Sequence, residues 1–361
     1  INMGVMWRMK YLIGTSLLVI VIILSIFFSP FDLFKQNDDL YDDEQEGLPE
    51  QITIRFSHVV AENTPKGLAA QKFAKLAAEK TEGLVKVEVI PNGTMYTDEE
   101  ELDALMNNDV QMIAPSVSKM TRLAPEWGLF DLPFLFESNE DITSVISGEI
   151  GHKFLKLHED EEIKGMALWS NGFKQMTSSV GALQHPEDFQ GQRFRIMPSF
   201  VLEEQFKRLG AVPIAIPYDQ LYMTLEENKF EGQENTISNI YSRRLYEYQS
   251  HLTLSYHGFL GYAVLMNKDF WDSLPTDVQS SLTEAMDETT SWMIKESLEM
   301  NKQQLQELAK ESSIDIHYLT NEEKVVWKKK LEPVYQSLLE HVDENFAKEF
   351  ITKRIKQMKT Q

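Results

Sequence analysis

From Gln51 onward the apolar positions follow two rhythms, strict alternation and a recurrence every three to four residues, which exchange repeatedly along the chain. Ile52–His58 (ITIRFSH) and Leu84–Ile90 (LVKVEVI) alternate and predict strands. Between them, TPKGLAAQKFAKLAAEK predicts a helix with Thr64 as N-cap and Pro65 in its first turn. The turn at Pro91–Gly93 ends the second strand, and Thr97 followed three residues later by Glu100 predicts a helix opened by a capping box. Val110–Ser116 predicts a short strand running into a loop, and Phe130–Phe136 (FDLPFLF) is too apolar for a free loop, so it predicts core or a cover over a cleft. The second run begins with a strand over Lys164–Phe173 that turns at Asn171–Gly172. It continues with a strand at RFRIM, a helix from Ser199 to a C′ glycine at Gly210, a proline-interrupted strand at AVPIAIP and a helix over YDQLYMTLEENKF. EGQENTISNIYSRRLYE reads as a loop becoming a helix near Thr236, and HLTLSYHGFLGYAVLMNK as two strands around Gly258. A long helix follows over Thr276–Glu311, then a strand at IDIHYL and a final helix from Thr320.

Strands alternating with helices predict an α/β fold with largely parallel sheets, in which ligands bind beyond the carboxyl ends of strands. His58, Ser116, Asn171 and Arg195 all end predicted strands in distant parts of the chain, which suits a cleft between two lobes. Residues 1–30 are read as an N-terminal membrane anchor or signal segment. Arg8 and Lys10 precede the apolar run Tyr11–Phe28, about 27 Å long as a helix against a hydrocarbon core of about 30 Å. Basic residues before the run and acidic ones after it put the N-terminus inside, and the lack of a small-residue cleavage site favours retention. Residues 31–50, with QNDDLYDDEQEGLPE, predict an acidic linker, and residues 51–361 the folded domain, at the extracytoplasmic face of the membrane.

The formal net charge of -21 over 361 residues argues against nucleic acid as a partner. The absence of cysteine excludes disulfides, thiolate metal sites, a cysteine nucleophile and an N-terminal lipidated cysteine. No nucleophile elbow, zinc-protease, phosphate-loop or dinucleotide motif is present and the eight histidines are dispersed, so neither catalysis nor a metal or cofactor is expected. The informative residue is Arg195, at the end of a buried-looking strand in an acidic chain. An unpaired buried charge is costly, so it needs an anion, either an internal glutamate or a ligand carboxylate, whose two oxygens its planar fork matches. Ser199 opens a helix beside it and adds positive potential. Asn235 and Lys174 stand at two other junctions; a helix cap and a solvated lysine are their plain alternatives. His58 at a strand end is a further candidate or a structural histidine, and Lys66, in a first helical turn, either joins the site or faces water.

The segments FSHVVAENTPKGLAAQKFAKLAAEKT, VEVIPNGTMYTDEEELDALMNNDVQMIAPSVSK, WSNGFKQMTSS, GQRFRIMPS, EGQENTISNI and HGFLGYAVLMNKDFW, in this order over about residues 50–330, resemble the solute receptors of tripartite ATP-independent periplasmic (TRAP) transporters. They are most similar to the dicarboxylate-binding branch, with YDDEQEGLPEQI resembling its Bacillus-type receptors. The resemblance implies a two-lobe, class II periplasmic-binding-protein-like fold with a long lobe-spanning helix. Lobe I would comprise about residues 51–170 plus 258–290, and lobe II about residues 171–257 plus the C-terminal helices. It implies that Arg195 makes the bidentate salt bridge to a substrate carboxylate, that Asn235 and Lys174 assist, and that His58 and Lys66 lie near the second carboxylate. Ser118, Ser116 and Lys119 are weaker candidates, as are Met197, Tyr218 and His257 on the pocket wall. The implied protein is a monomeric extracytoplasmic receptor for succinate, fumarate or malate that serves membrane permease subunits. The alternatives are a sensory co-receptor presenting dicarboxylate to a membrane histidine kinase or a separate carrier, and a secreted α/β enzyme.

Overall fold

The computed structural model describes residues 51–159 and 162–358; the expected membrane segment and acidic linker lie outside the described residues. The first strand, β1 (Ile52–Ser57), pairs in parallel with β2 (Val85–Ile90) and, at its end, with the short β3 (Met112–Ile113). Between β1 and β2 runs α1 (Pro65–Lys80), whose N-cap Thr64 accepts a hydrogen bond from the Gly67 amide. Its buried face, Ala69, Ala70, Phe73, Leu76 and Ala77, has the three-to-four spacing of a helix covering a sheet. Phe73 meets Phe56 of β1 edge-on at 6.4 Å, and Phe56 packs on Trp169 at 6.0 Å. The next helix, α2 (Glu101–Met106), starts four residues after Thr97. The Glu100 carboxylate does accept from the Thr97 amide, but this reciprocal contact closes a turn ahead of the helix proper.

Two helices, α3 (Asn139–Ile146) and α4 (Glu149–Leu155), lead into β4 (Ile163–Ser178). The expected turn at Asn171–Gly172 does not form. β4 runs straight through, because Gly172 takes φ +87 and absorbs a register shift against the partner strand without reversing the chain. Then follow β5 (Arg193–Ile196), α5 (Phe200–Leu209), β6 (Val212–Ala215), α6 (Leu221–Glu226), β7 (Gly232–Asn235) and α7 (Ile237–Ser242). β7 replaces an expected loop. Its polar sequence GQEN is buried by pairing with β4 on one side and β5 on the other, a tertiary effect with no apolar signature. β8 (His251–Asn267) is one continuous strand where two were expected. After it come α8 (Lys268–Ser273), α9 (Thr276–Glu311), β9 (Asp315–Tyr318), α10 (Asn321–Leu339) and one helix more than expected, α11 (Glu344–Met358).

The nine strands of the described residues form one sheet, ordered β2-β1-β3-β8-β4-β7-β5-β6, with β9 also on β8. It is mixed. The flanking pairs are parallel, whereas β4 with β8, β3 with β8 and β4 with β7 are antiparallel. The reason is topological: the chain travels to the far half along β4 and returns along β8, so the two crossing strands run in opposite directions. β3 joins β8 at residues 265–266 and β9 joins it at residues 251–254, so each end of the long pair carries its own group of strands. Between the ends lies an irregularity: Lys174 pairs with Gly258 but Met176 pairs with Thr253, leaving Leu254–His257 bulged out of register. α9 packs along α1, β4 and α7 and so lies against both halves. Among the described residues, no helix is long and apolar enough to cross a membrane.

Candidate functional site

A cavity of about 30 Å³, room for about two waters, lies where the two groups of strands meet; its polar lining includes Lys66, Asp98, Ser116, Arg195, Asn235 and Tyr262. Arg195 reaches it because β5 is buried on both faces at its end, and only 1% of the residue is exposed. Its Nε and Nη2 donate to the Ile216 carbonyl at 2.9 and 2.8 Å. It makes no ion pair with any described residue. Burial lowers its pKa, opposed by the more distant Asp98 and Glu234, yet a guanidinium remains charged under such pressure.

Lys66, in the first turn of α1, is equally buried. Its Nζ donates to the Ala114 carbonyl at 2.8 Å and stands 4.2 Å above the Tyr262 ring. Burial brings its pKa down to about 8, against the pull of Glu101 and Asp98. His58, at the end of β1, is fully buried, and neither ring nitrogen has a hydrogen-bond partner. Burial and then the Lys66 charge hold it down at about 3, so the imidazole is neutral. The Asn235 side-chain carbonyl accepts from the Thr236 amide at 3.1 Å and from Asn239 Nδ2 at 2.8 Å. Asp98 ties the walls together: its Oδ1 pairs with Lys119 Nζ at 3.3 Å, and its Oδ2 accepts from the Tyr218 amide at 3.2 Å. Arg243, at the end of α7, donates to the Val59 carbonyl at 3.1 Å while lying over the Tyr218 ring at 5.1 Å.

The structure thus brings Arg195, Asn235 and Lys66 to one cavity, with Ser116, Met197 and Tyr218 in the same wall. His58, Lys174 and Ser118 do not line it. Lys174 Nζ pairs with Glu234 Oε1 at 2.5 Å, and Glu234 Oε2 meets His257 Nε2 at 2.7 Å, a buried network beside the β8 bulge. Burial would raise the Glu234 pKa, but Lys174 and His257 hold it at about 2. Ser118 Oγ donates to Asp131 Oδ1 at 2.6 Å, far from solvent. Asp98, Asn239, Tyr262 and Arg243 were missed by sequence reasoning. Asn239 stands one helical turn after Asn235, and Tyr262 shares a strand face with Leu260; those spacings were available as signals. Asp98 and Arg243 sit in a polar turn and at a helix end, where charge is ordinary, and had none. Among the described residues no cluster is placed to hold a metal ion.

Two strand groups joined by a pair of long crossing strands, a long helix packed against both, and a buried cationic cavity at their meeting define a two-lobe α/β solute-binding protein. The chain belongs to bacterial extracellular solute-binding protein family 7, whose model matches residues 56–341. It is a transport receptor and not an enzyme. It is 48% identical over 329 residues to the C4-dicarboxylate-binding protein DctB of Bacillus subtilis (strain 168), covering 91% of this chain and 94% of that one. Its structure is similar to a TRAP periplasmic solute binding protein from Shewanella oneidensis with bound succinate (TM-score 0.81, 37% identity, covering 84% of this chain and 99% of that one). A second such protein, from Pseudomonas aeruginosa PAO1 with bound L-malate, superposes with TM-score 0.77 at 35% identity, covering 79% and 99%.

Proposed function

We propose that this protein binds a four-carbon dicarboxylate in the cavity around Arg195 and delivers it to membrane permease subunits. The observation that carries the reading is a fully buried arginine with no carboxylate partner among the described residues, in one cavity with a buried lysine. Nη1 of Arg195 makes no hydrogen bond to a described residue, so the guanidinium retains donors for one ligand carboxylate. Asn235, with Asn239 behind it, assists there. Lys66, with neutral His58 close by, faces the second carboxylate. Lys174 and Ser118 support the walls from behind. A space of about 30 Å³ is too small for a diacid, so loading requires the two lobes, about residues 51–170 with 258–290 and about residues 171–257 with the C-terminal helices, to part along β4, β8 and α9. Asp98–Tyr218 and Arg243–Val59 are the contacts that closure remakes. The apolar run Tyr11–Phe28 holds the receptor at the outer face of the membrane.

The test is isothermal titration calorimetry against succinate, fumarate, L-malate, butyrate and a sugar acid. Saturable binding of the diacids with none of butyrate is expected. Binding of the sugar acid alone, or of no diacid, would overturn the reading.

A further inference from the structure

Behind the cavity wall lies a second carboxylate that a site for dianions has no evident use for. Glu101, the first residue of α2, is fully buried, and neither of its carboxyl oxygens accepts a hydrogen bond. It faces Lys119 Nζ at 3.5 Å, on the segment after β3, and that same ammonium serves Asp98 at 3.3 Å from the turn before α2. Lys66 of α1 faces the pair electrostatically, His58 at the end of β1 faces Lys66, and Arg195 faces Asp98 from β5. Lys66, Lys119 and Arg195 therefore meet Asp98 and Glu101 in one desolvated cluster, of which Lys66, Asp98 and Arg195 line the cavity; Glu234, paired with Lys174, and Asp219 also face Arg195 from outside these five groups, whose charge is counted below. Asp98 is held by Lys119 and the Tyr218 amide, whereas Glu101 has only the longer share of one lysine.

We propose that Glu101 sets the charge the cavity accepts: it is neutral when a dianion is bound, so that binding a four-carbon diacid takes up a proton at this buried carboxyl. With Glu101 protonated, the cluster carries two net positive charges and matches a dianion. With Glu101 ionised it carries one, and the second ligand carboxylate is left uncompensated. Burial supports this by lifting the Glu101 pKa to about 7 in the free protein, against the opposing pull of Lys119, and a bound dianion lifts it further. The sign follows from linkage. Below about pH 7 the proton is already in place and affinity is flat. Above it the ligand must bring the proton in, and affinity falls by up to about tenfold per pH unit. Lys66 adds to the same trend above about pH 8.

The inference rests on the dicarboxylate reading, and calorimetry with succinate separates the two. No heat of binding at any pH means the dicarboxylate reading has failed; binding without proton uptake means that reading stands and this inference has failed. At pH 7.5, in buffers of differing ionisation enthalpy, the wild type is expected to take up about 0.5–0.8 proton per succinate at Glu101, which at this pH is already about one-quarter protonated. Glu101→Gln, fixed in the neutral state, is expected to lose most of that uptake and to bind succinate at pH 7.5 about as well as it does at pH 6. An equal uptake in wild type and Glu101→Gln would overturn the assignment. Should the variant fail to fold, infrared difference spectra of the wild type decide. A protonated-carboxyl stretch gained on adding succinate at pH 7.5 supports the inference, and its absence overturns it.

Discussion

At the residue scale, two buried cations in the same fold have opposite allegiances. Among the described residues Arg195 is bonded to the Ile216 carbonyl alone, whereas Lys174 is locked to Glu234, which in turn holds His257. Removing the first leaves no charge stranded; removing the second leaves a buried carboxylate without its ammonium. Lys174→Met is therefore expected to destabilise the unliganded protein by about 3–5 kcal/mol, read as a shift in the urea unfolding midpoint. Arg195→Met should move that midpoint much less and abolish succinate binding. Arg195→Lys keeps the charge but loses the planar fork, and a charge-assisted hydrogen bond of about 1.5–3 kcal/mol sets the expected loss at about 10–100-fold in affinity. If Arg195→Met collapses the unliganded fold while Lys174→Met does not, the two roles are reversed. From sequence these cations look alike, each a basic residue on a strand near a junction, because the partner of each lies outside its own strand: Ile216, just past β6, is 21 residues from Arg195, and Glu234, on β7, is 60 residues from Lys174.

At the element scale, the alternation of strands and helices was legible, and so were several of the caps, though not the one expected at Thr97. Thr64, Gly210 and Thr320 all stand where local hydrogen bonding or a left-handed residue ends a helix. The elements that misread are those that pass between lobes. β4 and β8 contain glycines and polar residues at their middles, which in a short strand signal turns; here they mark bulges in a long one. Gly258 shows why the bulge is fixed in place. A Cβ there would stand 2.6 Å from Lys174 Cε, and Lys174 cannot swing away without abandoning Glu234. Gly258→Ala is expected to cost about 1–3 kcal/mol of stability by overpacking, measured by chemical denaturation. A neutral substitution would show that Lys174 is not pinned.

At the scale of the whole molecule, each buried titratable group makes stability depend on pH with its own sign. His58 is held at about 3 when folded, against an ordinary value of 6.5, so the unfolded chain binds a proton that the folded one refuses. Stability from this group is complete above about pH 6.5 and falls as the pH drops toward 3, by up to about 1.4 kcal/mol per pH unit. His257, also lowered by burial, acts in the same direction, and Glu234, held at about 2, adds its loss only below the ordinary carboxylate range. On going from pH 7 to pH 5, Glu101, raised to about 7 in the fold, takes up its proton and offsets the loss from His58, so urea unfolding is expected to show His58→Gln gaining stability at pH 5 relative to the wild type. An identical pH dependence of the two proteins would mean that the His58 ring titrates freely in the fold.

The sequence by itself determined the alternating elements, the helix ends, the lack of any thiol chemistry, and the need of Arg195 for an anion, because these follow from local periodicity, capping and the cost of a buried charge. The tertiary structure decided which side chains share the cavity. It placed Asp98, Asn239 and Tyr262 in one wall with Arg195 and Lys66 and set Arg243 over Tyr218, gave Lys174 to Glu234 and Ser118 to Asp131, and set Glu101 behind the wall. Desolvation and charge pairing depend on what lies across the sheet, and the residues concerned come from segments up to more than a hundred positions apart, as Asp98 and Tyr218 do. No local pattern along the chain carries that information.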